Sequence, residues 1–325
     1  MRAVVIDNPG PSSRLRIADV PAPTSGPHDL RIRVAAFGVN RGDLLQRRGL
    51  YPPPPGASEI LGLECAGEVI EVGAEVRGWK RGERAMALLA GGGYAEEAVV
   101  DAGSALRVPE RLTLLEAAAV PEVFLTVHLC LFRLAAFPEG GVLLVQGGGS
   151  GIGTAAIQLA RLAGGRVVTT AGSEWKCARC RELGAEVAVN YREASFADAA
   201  LAATGGAGVD VVLDPVGAPY LAEHLRALKT GGRLVLIGLM GGARAELDLA
   251  LFLRKRVQLI GSTLRARSLE EKAALVSDFA SRYGDALADG RIRPVVDRVL
   301  PMDEVEAAHA ALERSEHFGK IVVAT

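Results

Sequence analysis

The sequence predicts an α/β protein of two domains, a small barrel-like β domain and a doubly wound parallel sheet. Three observations lead there. The N-terminal third alternates polar and apolar residues over short runs separated by Gly- and Pro-rich turns. From about Glu116, apolar strand-like runs alternate with helical patterns, the signature of βαβ units. One of those runs, Val142-Leu-Leu-Val-Gln146, passes directly into the glycine-rich loop Gly147-Gly-Gly-Ser-Gly-Ile-Gly153.

In the first domain, residues 2–6, 30–37, 67–72 and 95–100 read as strands, with turn clusters at 21–27 and 90–93. Residues 52–55, four prolines, form a short rigid turn or extended segment. In the second domain the strands are 142–146, 166–170, 186–190, 209–213, 233–237 and 257–261. Helical periodicity marks 154–163, 176–183 and 219–228. Fully apolar strands suit a sheet covered on both faces. A long helical pattern over 269–288 follows, then strand-like pieces at 295–300 and 320–324 that return to the first domain. The expected organisation is a discontinuous β domain, residues 1–119 and 265–325, with an α/β domain at 120–264 inserted. The last strand, 257–261, leaves an apolar edge, and two-fold pairing of such edges predicts a homodimer.

Composition removes several function classes. The chain has 37 Lys+Arg against 38 Asp+Glu, so no basic footprint for nucleic acid exists. Its only four cysteines, Cys65, Cys130, Cys177 and Cys180, show no disulfide framework, which points to a reducing, cytoplasmic setting. Residues 117–137 are the most apolar stretch, but Glu122, His128 and Arg133 interrupt it, against a membrane span. Glycine is in excess: 39 of 325 residues, about 12% against a usual level of about 7%.

The glycine loop accounts for part of that excess. Strand, glycine turn and helix place a pyrophosphate at a helix N-terminus, where free N–H groups and the helix dipole favour an anion. Gly148 and Gly153 fit the outer positions of a dinucleotide fingerprint, and Ser150 holds the middle one in place of glycine. The alternative is a tight strand-to-helix turn. An NAD site expects an acid at the end of the second strand. Here Arg166-Val-Val-Thr-Thr170 is followed by Ala171-Gly-Ser173 with no acid at the strand end; Glu174 is adjacent and is expected to point away, and Lys176 follows one turn on. A hydroxyl and an ammonium suit a 2′-phosphate, so the cofactor expected is NADPH.

Metal chemistry lacks its motifs. No two of the five histidines lie at i, i+4, and none sits beside a cysteine. Cys177 and Cys180 form a single C-x-x-C, too few ligands for a structural zinc. No nucleophile elbow is present.

The glycine loop, the βαβ texture and the leading β domain together resemble the zinc-independent medium-chain dehydrogenase/reductases. More narrowly, the chain is similar to NADPH-dependent quinone oxidoreductases of the tumour-suppressor-inducible type. The segments that carry the resemblance are Val39-Asn-Arg-Gly-Asp-Leu44, Tyr51-Pro-Pro-Pro-Pro-Gly-Ala-Ser58, Ile60-Leu-Gly-Leu-Glu64, Ala85-Met-Ala-Leu-Leu89, Gly151-Ile-Gly-Thr-Ala-Ala-Ile-Gln158, Gly238-Leu-Met-Gly-Gly242 and Gly319-Lys-Ile-Val322. They run in order through nearly the whole chain. The zinc branch carries Gly-His-Glu where this sequence has Gly62-Leu63-Glu64. The resemblance implies a GroES-like barrel and a Rossmann domain.

It also implies roles. Asn40 and Asp43 would line a cleft wall beside the nicotinamide, with Tyr51 at the cleft mouth; these three are the catalytic candidates. Thr126 would stand near the carboxamide. Gly148, Gly149, Ser150, Gly151, Ile152 and Gly153 would cradle the pyrophosphate. Ser173, Lys176 and Tyr191 would surround the 2′-phosphate and adenine ribose. Gly217 and Gly238, Leu239, Met240 and Gly241 would lie along the dinucleotide, and Lys320 with Phe318 would close the cleft.

Several of these residues admit a plainer reading. Tyr191 is either a cofactor contact or surface packing, and Tyr51 either a cleft residue or a structural plug. Asp43 is either a helix-start residue or catalytic, and Asn40 either caps that turn or faces the nicotinamide. Lys176 otherwise reads as a solvated helix lysine. Trp175 either stacks on adenine or is a plain surface aromatic, and His128 reads as a packing histidine in preference to a proton donor.

The function expected is an NADPH-dependent reductase passing a hydride to a quinone without zinc, on a small-molecule acceptor. A second reading is reduction of an enone, enal or enoyl-thioester double bond, although no long basic channel for an acyl thioester is visible. A third, of another class, is a non-catalytic NADPH sensor or RNA-associated protein.

Overall fold

Strand β3 (Asp29–Gly38) shows how alternation builds the first sheet. Leu30, Ile32 and Val34 are buried. Between them Arg31 turns outward and bonds Glu97 and Glu71 on neighbouring strands. The computed structural model describes all 325 residues. The chain divides into two units, Met1–Leu125 with Leu264–Thr325, and Thr126–Thr263.

The first unit opens with an antiparallel ribbon, β1 (Arg2–Asp7) and β2 (Arg14–Asp19). After β3 come α1 (Arg41–Arg47), β4 (Glu64–Val72), β5 (Arg84–Leu88), β6 (Glu97–Asp101), β7 (Ala105–Arg107) and α2 (Leu114–Ala117). Helix α3 (Pro121–His128) begins on a proline, the residue best tolerated at that position, and runs into a π-helical turn at Leu129–Leu134. The expected strand at 67–72 starts earlier, at Glu64, because Glu64, Cys65 and Ala66 are all buried and show no alternation. Helix α2 was not expected; α1 starts where Asn40 and Asp43 allowed a helix start, α3 carries Thr126, and the apolar stretch 117–137 resolves into helix.

The second unit holds β8 (Val142–Val145), α4 (Gly151–Leu162), β9 (Arg166–Ala171), α5 (Glu174–Glu182), β10 (Val187–Asn190), α6 (Phe196–Ala203), β11 (Val209–Asp214), α7 (Leu221–Ala227), β12 (Leu228–Leu236), α8 (Leu249–Lys255) and β13 (Gln258–Gly261). Its six strands are all parallel, in the order β10-β9-β8-β11-β12-β13. Numbered along the chain this is 3-2-1-4-5-6, the dinucleotide-binding order, with its switch point between β8 and β11. Strand β12 begins before the expected 233 because Gly231-Gly232 carries no side-chain pattern. Five of the eight residues of helix α6 are alanine, so no periodicity announced it.

The chain then returns to the first unit. Helix α9 (Leu269–Asp289) has a capping box of Ser268 and Glu271 and stops at Gly290, φ 83°. Strand β14 (Val296–Pro301), α10 (Val305–Glu313) and β15 (Lys320–Ala324) follow. β15 pairs antiparallel with β3 and parallel with β14, completing a sheet β14-β15-β3-β4-β5-β7 with β6 also on β3. The two C-terminal strand-like pieces therefore finish the first sheet, as their pattern predicted. No helix is long and apolar enough to cross a membrane.

Candidate active site

In the second unit, the carboxyl ends of the strands gather the glycine-rich segments. Ser150 caps α4, its Oγ accepting from Gly153 N at 3.0 Å. The irregular position in the loop is thus a helix N-cap, for which serine is among the best residues. The first-turn N–H groups of Gly151 and Ile152 have no acceptor within the helix. Gly153 is required by packing: a Cβ there would stand 2.5 Å from Gly148 Cα. Gly148 and Gly149 lie between the end of β8 and that cap, and Gly148 N bonds Thr170 O at 2.8 Å.

A buried polar chain ties this loop to the next one. Thr170 Oγ1 accepts from Gly147 N at 3.1 Å and donates to Gln146 Oε1 at 2.6 Å. Gln146 Nε2 donates to His224 Nε2 at 3.0 Å, and His224 Nδ1 lies 3.5 Å from Asp214 Oδ2. Burial lowers the His224 pKa to about 3, so the ring is neutral. Asp214 accepts from Val216 N and Gly217 N, and burial still raises its carboxyl to about 6. The loop at Gly238–Gly241 is joined to the same turn, with Met240 N on Pro215 O and Gly241 N on Val216 O. Leu239 and Met240 project their side chains into solvent.

One strand further out, β9 ends at Ala171, and the first acid after it, Glu174, opens α5 and pairs with Arg181 at 2.7 Å. Ser173 caps α5, accepting from Lys176 N at 3.4 Å. Tyr191 N bonds Ala171 O, and a Cβ on Gly172 would come 2.8 Å from the Tyr191 hydroxyl. Ser173, Lys176 and Tyr191 are therefore neighbours at one sheet end, with Tyr191 and Trp175 exposed. Thr126 is buried on α3, and the His128 ring packs 5.8 Å from Phe132.

The first unit contains a second cluster, around the end of β3. Lys320, 4% exposed, sits 2.7 Å from Glu64 Oε1, and its Nζ also donates to Asn40 Oδ1 at 2.6 Å and Val39 O at 3.0 Å. Those three acceptors take all three ammonium protons. Asn40 Nδ2 donates to Glu64 Oε1 at 2.9 Å, and Glu122 N donates to Glu64 Oε2 at 2.9 Å. Gly38 makes room for this carboxylate, since a Cβ there would collide with Glu64 Oε1. Asp43 is fully buried and accepts from Asn40 N, Gly62 N and the Tyr94 hydroxyl. Burial raises its carboxyl to about 6 against those donors. Tyr94 in turn accepts from His309 Nε2 at 3.1 Å, and His309 Nδ1 faces Arg47. Phe318 is buried at the start of β15, its N–H on Asp297.

Tyr51 belongs to a third group. Arg265 lies over its ring at 5.1 Å and donates to Tyr51 O, Ala90 O and Gln46 Oε1. Burial and the nearby Glu122 charge raise the Tyr51 pKa, which keeps the phenol protonated. Tyr94, Glu122, Arg265 and His309 were not foreseen as site residues. Tyr94 and His309 meet across 215 positions of sequence, and neither stands in a motif.

Two family models match parts of the chain. Residues 26–110 match the alcohol dehydrogenase GroES-like domain, and residues 151–281 match the zinc-binding dehydrogenase family. Quinone oxidoreductase-like protein 2 of Bos taurus is 32% identical over 298 residues, covering 91% of this chain and 85% of that protein. The chain belongs to the medium-chain dehydrogenase/reductases, quinone oxidoreductase type. Among solved structures of this family, a mycobacterial protein in complex with NADPH superposes with a TM-score of 0.88 at 30% identity, each chain covered in full. An NAD-dependent alcohol dehydrogenase gives 0.86 at 31%, also over both full chains. An enoyl reductase, CurK, gives 0.83 at 27%, over 99% of this chain and 98% of that one.

The family includes zinc enzymes, and the donors of this member do not fit that metal. No three His, Cys, Asp or Glu side chains lie close enough to hold an ion. Leu63 precedes Glu64, and Glu64 is held by the Lys320 ammonium. A nicotinamide dinucleotide does fit: the glycine loop, its unpaired first-turn N–H groups and the classic strand order offer a phosphate site.

Proposed function

We propose that this oxidoreductase uses NADPH to reduce a quinone by hydride transfer, without zinc. The observation that carries the cofactor choice is the end of β9, where Ser173 and Lys176 stand and the adjacent carboxylate, Glu174, is engaged by Arg181 at 2.7 Å. Bound NADPH supplies the hydride. The chain's own residues then position and shield. The N–H groups of Gly151 and Ile152 hold the pyrophosphate, and Ser173, Lys176 and Tyr191 hold the 2′-phosphate. Gly217 and the Gly238–Gly241 loop flank the dinucleotide, with Thr126 at the carboxamide. Lys320 fixes the Asn40 amide, so Lys320 acts through Asn40 and not by direct contact. Tyr51 offers a neutral phenol donor. Positioning of this kind is a large part of catalysis when the cofactor carries the chemistry.

The acceptor is a small molecule, and the name of the bovine relative supports a quinone. The CurK likeness supports the second reading, reduction of an activated double bond. Four buried free cysteines support a cytoplasmic setting. Edge strand β13, with Leu259 exposed, supports a homodimer through paired edges.

Two assays test the proposal. NADPH oxidation is followed with ortho-quinones and with enones; turnover with enones alone would discard the quinone. Lys176→Ala should weaken NADPH at least ten-fold more than NADH. Equal losses for the two cofactors would remove the phosphate assignment.

A further inference from the structure

Beneath the glycine turns of the second unit stands a histidine that belongs to no motif, His224 on α7. Its side chain is wholly buried, with ring centres of Phe196 at 5.3 Å and Tyr220 at 6.0 Å. The ring is neutral and accepts from Gln146 Nε2 at its own Nε2, so its proton is on Nδ1. That nitrogen lies 3.5 Å from Asp214 Oδ2 without a hydrogen bond.

A line of hydrogen bonds leaves the ring through Gln146. Gln146 Oε1 accepts from Thr170 Oγ1, and Thr170 Oγ1 accepts from Gly147 N. The Gly147 carbonyl accepts from Ser150 N at 2.9 Å, and Ser150 Oγ accepts from Gly153 N. The line therefore ends at the N-cap of α4, where the first-turn N–H groups open. On its other side the ring borders Asp214, which holds Val216 N and Gly217 N. His224 thus sits under the ends of β8 and β11, the strands on either side of the switch point. Gln146, Thr170, Asp214 and His224 are all buried. Burying such groups costs desolvation that apolar side chains of the same volume avoid. Filling the core does not call for them, whereas fixing the shape of a glycine turn does.

We propose that His224 is a positioning residue for the cofactor pyrophosphate, acting through Gln146 and Thr170 on the Gly147 turn. The inference rests on NADPH as the cofactor. His224 makes no contact with the ligand; it holds the amide that holds the hydroxyl that holds the turn. This role has a signature. A ligand with a pyrophosphate depends on His224, and a ligand that reaches only Ser173, Lys176 and Tyr191 does not.

The test is titration calorimetry on the full chain with two probes, NADPH and adenosine 2′-monophosphate, which has the 2′-phosphate and no pyrophosphate. His224→Leu removes the acceptor and keeps an apolar side chain of similar bulk. It should bind NADPH about ten-fold more weakly, the size of one lost buried hydrogen bond, and the monophosphate within about two-fold of wild type. His224→Gln, whose amide oxygen can accept from Gln146, should recover most of the NADPH affinity. Gln146→Leu combined with His224→Leu leaves no orphaned amide, so it should melt closer to wild type than His224→Leu does, and still bind NADPH weakly. If His224→Leu fails to fold, the double variant carries the same comparison. Unchanged NADPH affinity in His224→Leu, equal losses for the two probes, or affinity restored along with stability in the double variant would overturn the proposal and leave the cofactor reading intact. A wild type that binds no NADPH would overturn both.

Discussion

Lys320→Met isolates the buried cation of the first unit. Methionine keeps most of the stem volume and removes the charge. The wild-type ammonium is 4% exposed and lies 2.7 Å from Glu64, which is wholly buried, with Asn40 Oδ1 and Val39 O completing its shell. Removing one partner of such a pair leaves an uncompensated charge and costs about 3–5 kcal/mol. For a unit of this size that is a fall in Tm of roughly 6–20 °C. The Asn40 amide also loses the contact that fixes its carbonyl. The assay is calorimetric melting of wild type, Lys320→Met, Glu64→Gln and the double variant. Burial of the pair as a unit predicts that Glu64→Gln restores at least half of the lost stability in the Lys320→Met background, a coupling of about 1.5 kcal/mol or more. A Lys320→Met protein melting within about 2 °C of wild type, or strictly additive losses, would refute the view that this ammonium is what holds Glu64 in the interior.

Three further outcomes follow from the same geometry. Gly153→Ala puts a Cβ 2.5 Å from Gly148 Cα, so the loop must move off α4; titration calorimetry should show NADPH binding at least ten-fold weaker, and wild-type affinity would mean the loop is slack. Leu259→Arg places a charge on the outer edge of β13, and light scattering should then report monomer where wild type reports dimer; a wild type that is already monomeric removes the paired-edge assembly. Glu122 has a folded carboxyl near 8, above its ordinary 4.5, so its contribution to stability is full at low pH and disappears as pH rises through about 8. Glu122→Gln should therefore gain on wild type progressively as pH rises from about 4.5 to about 8, with the difference level below and above that window, and a Tm difference constant with pH would contradict the raised carboxyl.

The sequence made the second unit legible because its elements are local. An apolar run, seven residues of glycine-rich loop and a helical period lie in one continuous stretch, and each strand declares itself by β-branched residues. The missing acid after β9 is likewise a statement about three adjacent positions. The first unit was harder. Asn40, Asp43, Tyr51 and Lys320 came from resemblance, and their chemistry depended on partners brought from distant segments: Glu64 on β4, Tyr94 before β6, His309 on α10 and Arg265 before α9. Nothing in one sequence says that Lys320 will meet Glu64. Charge pattern alone places a lysine in solvent, and only the pairing of β15 with β3 carries it inside. The short helices failed for a different reason. Four to eight residues do not complete enough turns to show a period, and in α6 alanine replaces the contrast that a period needs.

The two polar networks also explain why so much glycine is tolerated at the proposed site. A loop of glycines has no side chains with which to hold its own shape and carries a large conformational entropy. In the second unit that order is imposed from below: Thr170, Gln146 and His224 run as a hydrogen-bonded line from Gly147 N, and Asp214, 3.5 Å beyond the His224 ring, holds Gly217 N. The line crosses from the end of β8 to the end of β11, the two strands that border the switch point. It fixes both glycine turns relative to the sheet while leaving the backbone N–H groups of α4 free for a ligand. The neutral His224 accepts from Gln146 at Nε2, and its Nδ1 lies 3.5 Å from Asp214 without a hydrogen bond. A charged ring could not accept from Gln146. The depressed His224 pKa is thus a condition for the loop geometry, and the loop geometry is what a pyrophosphate requires.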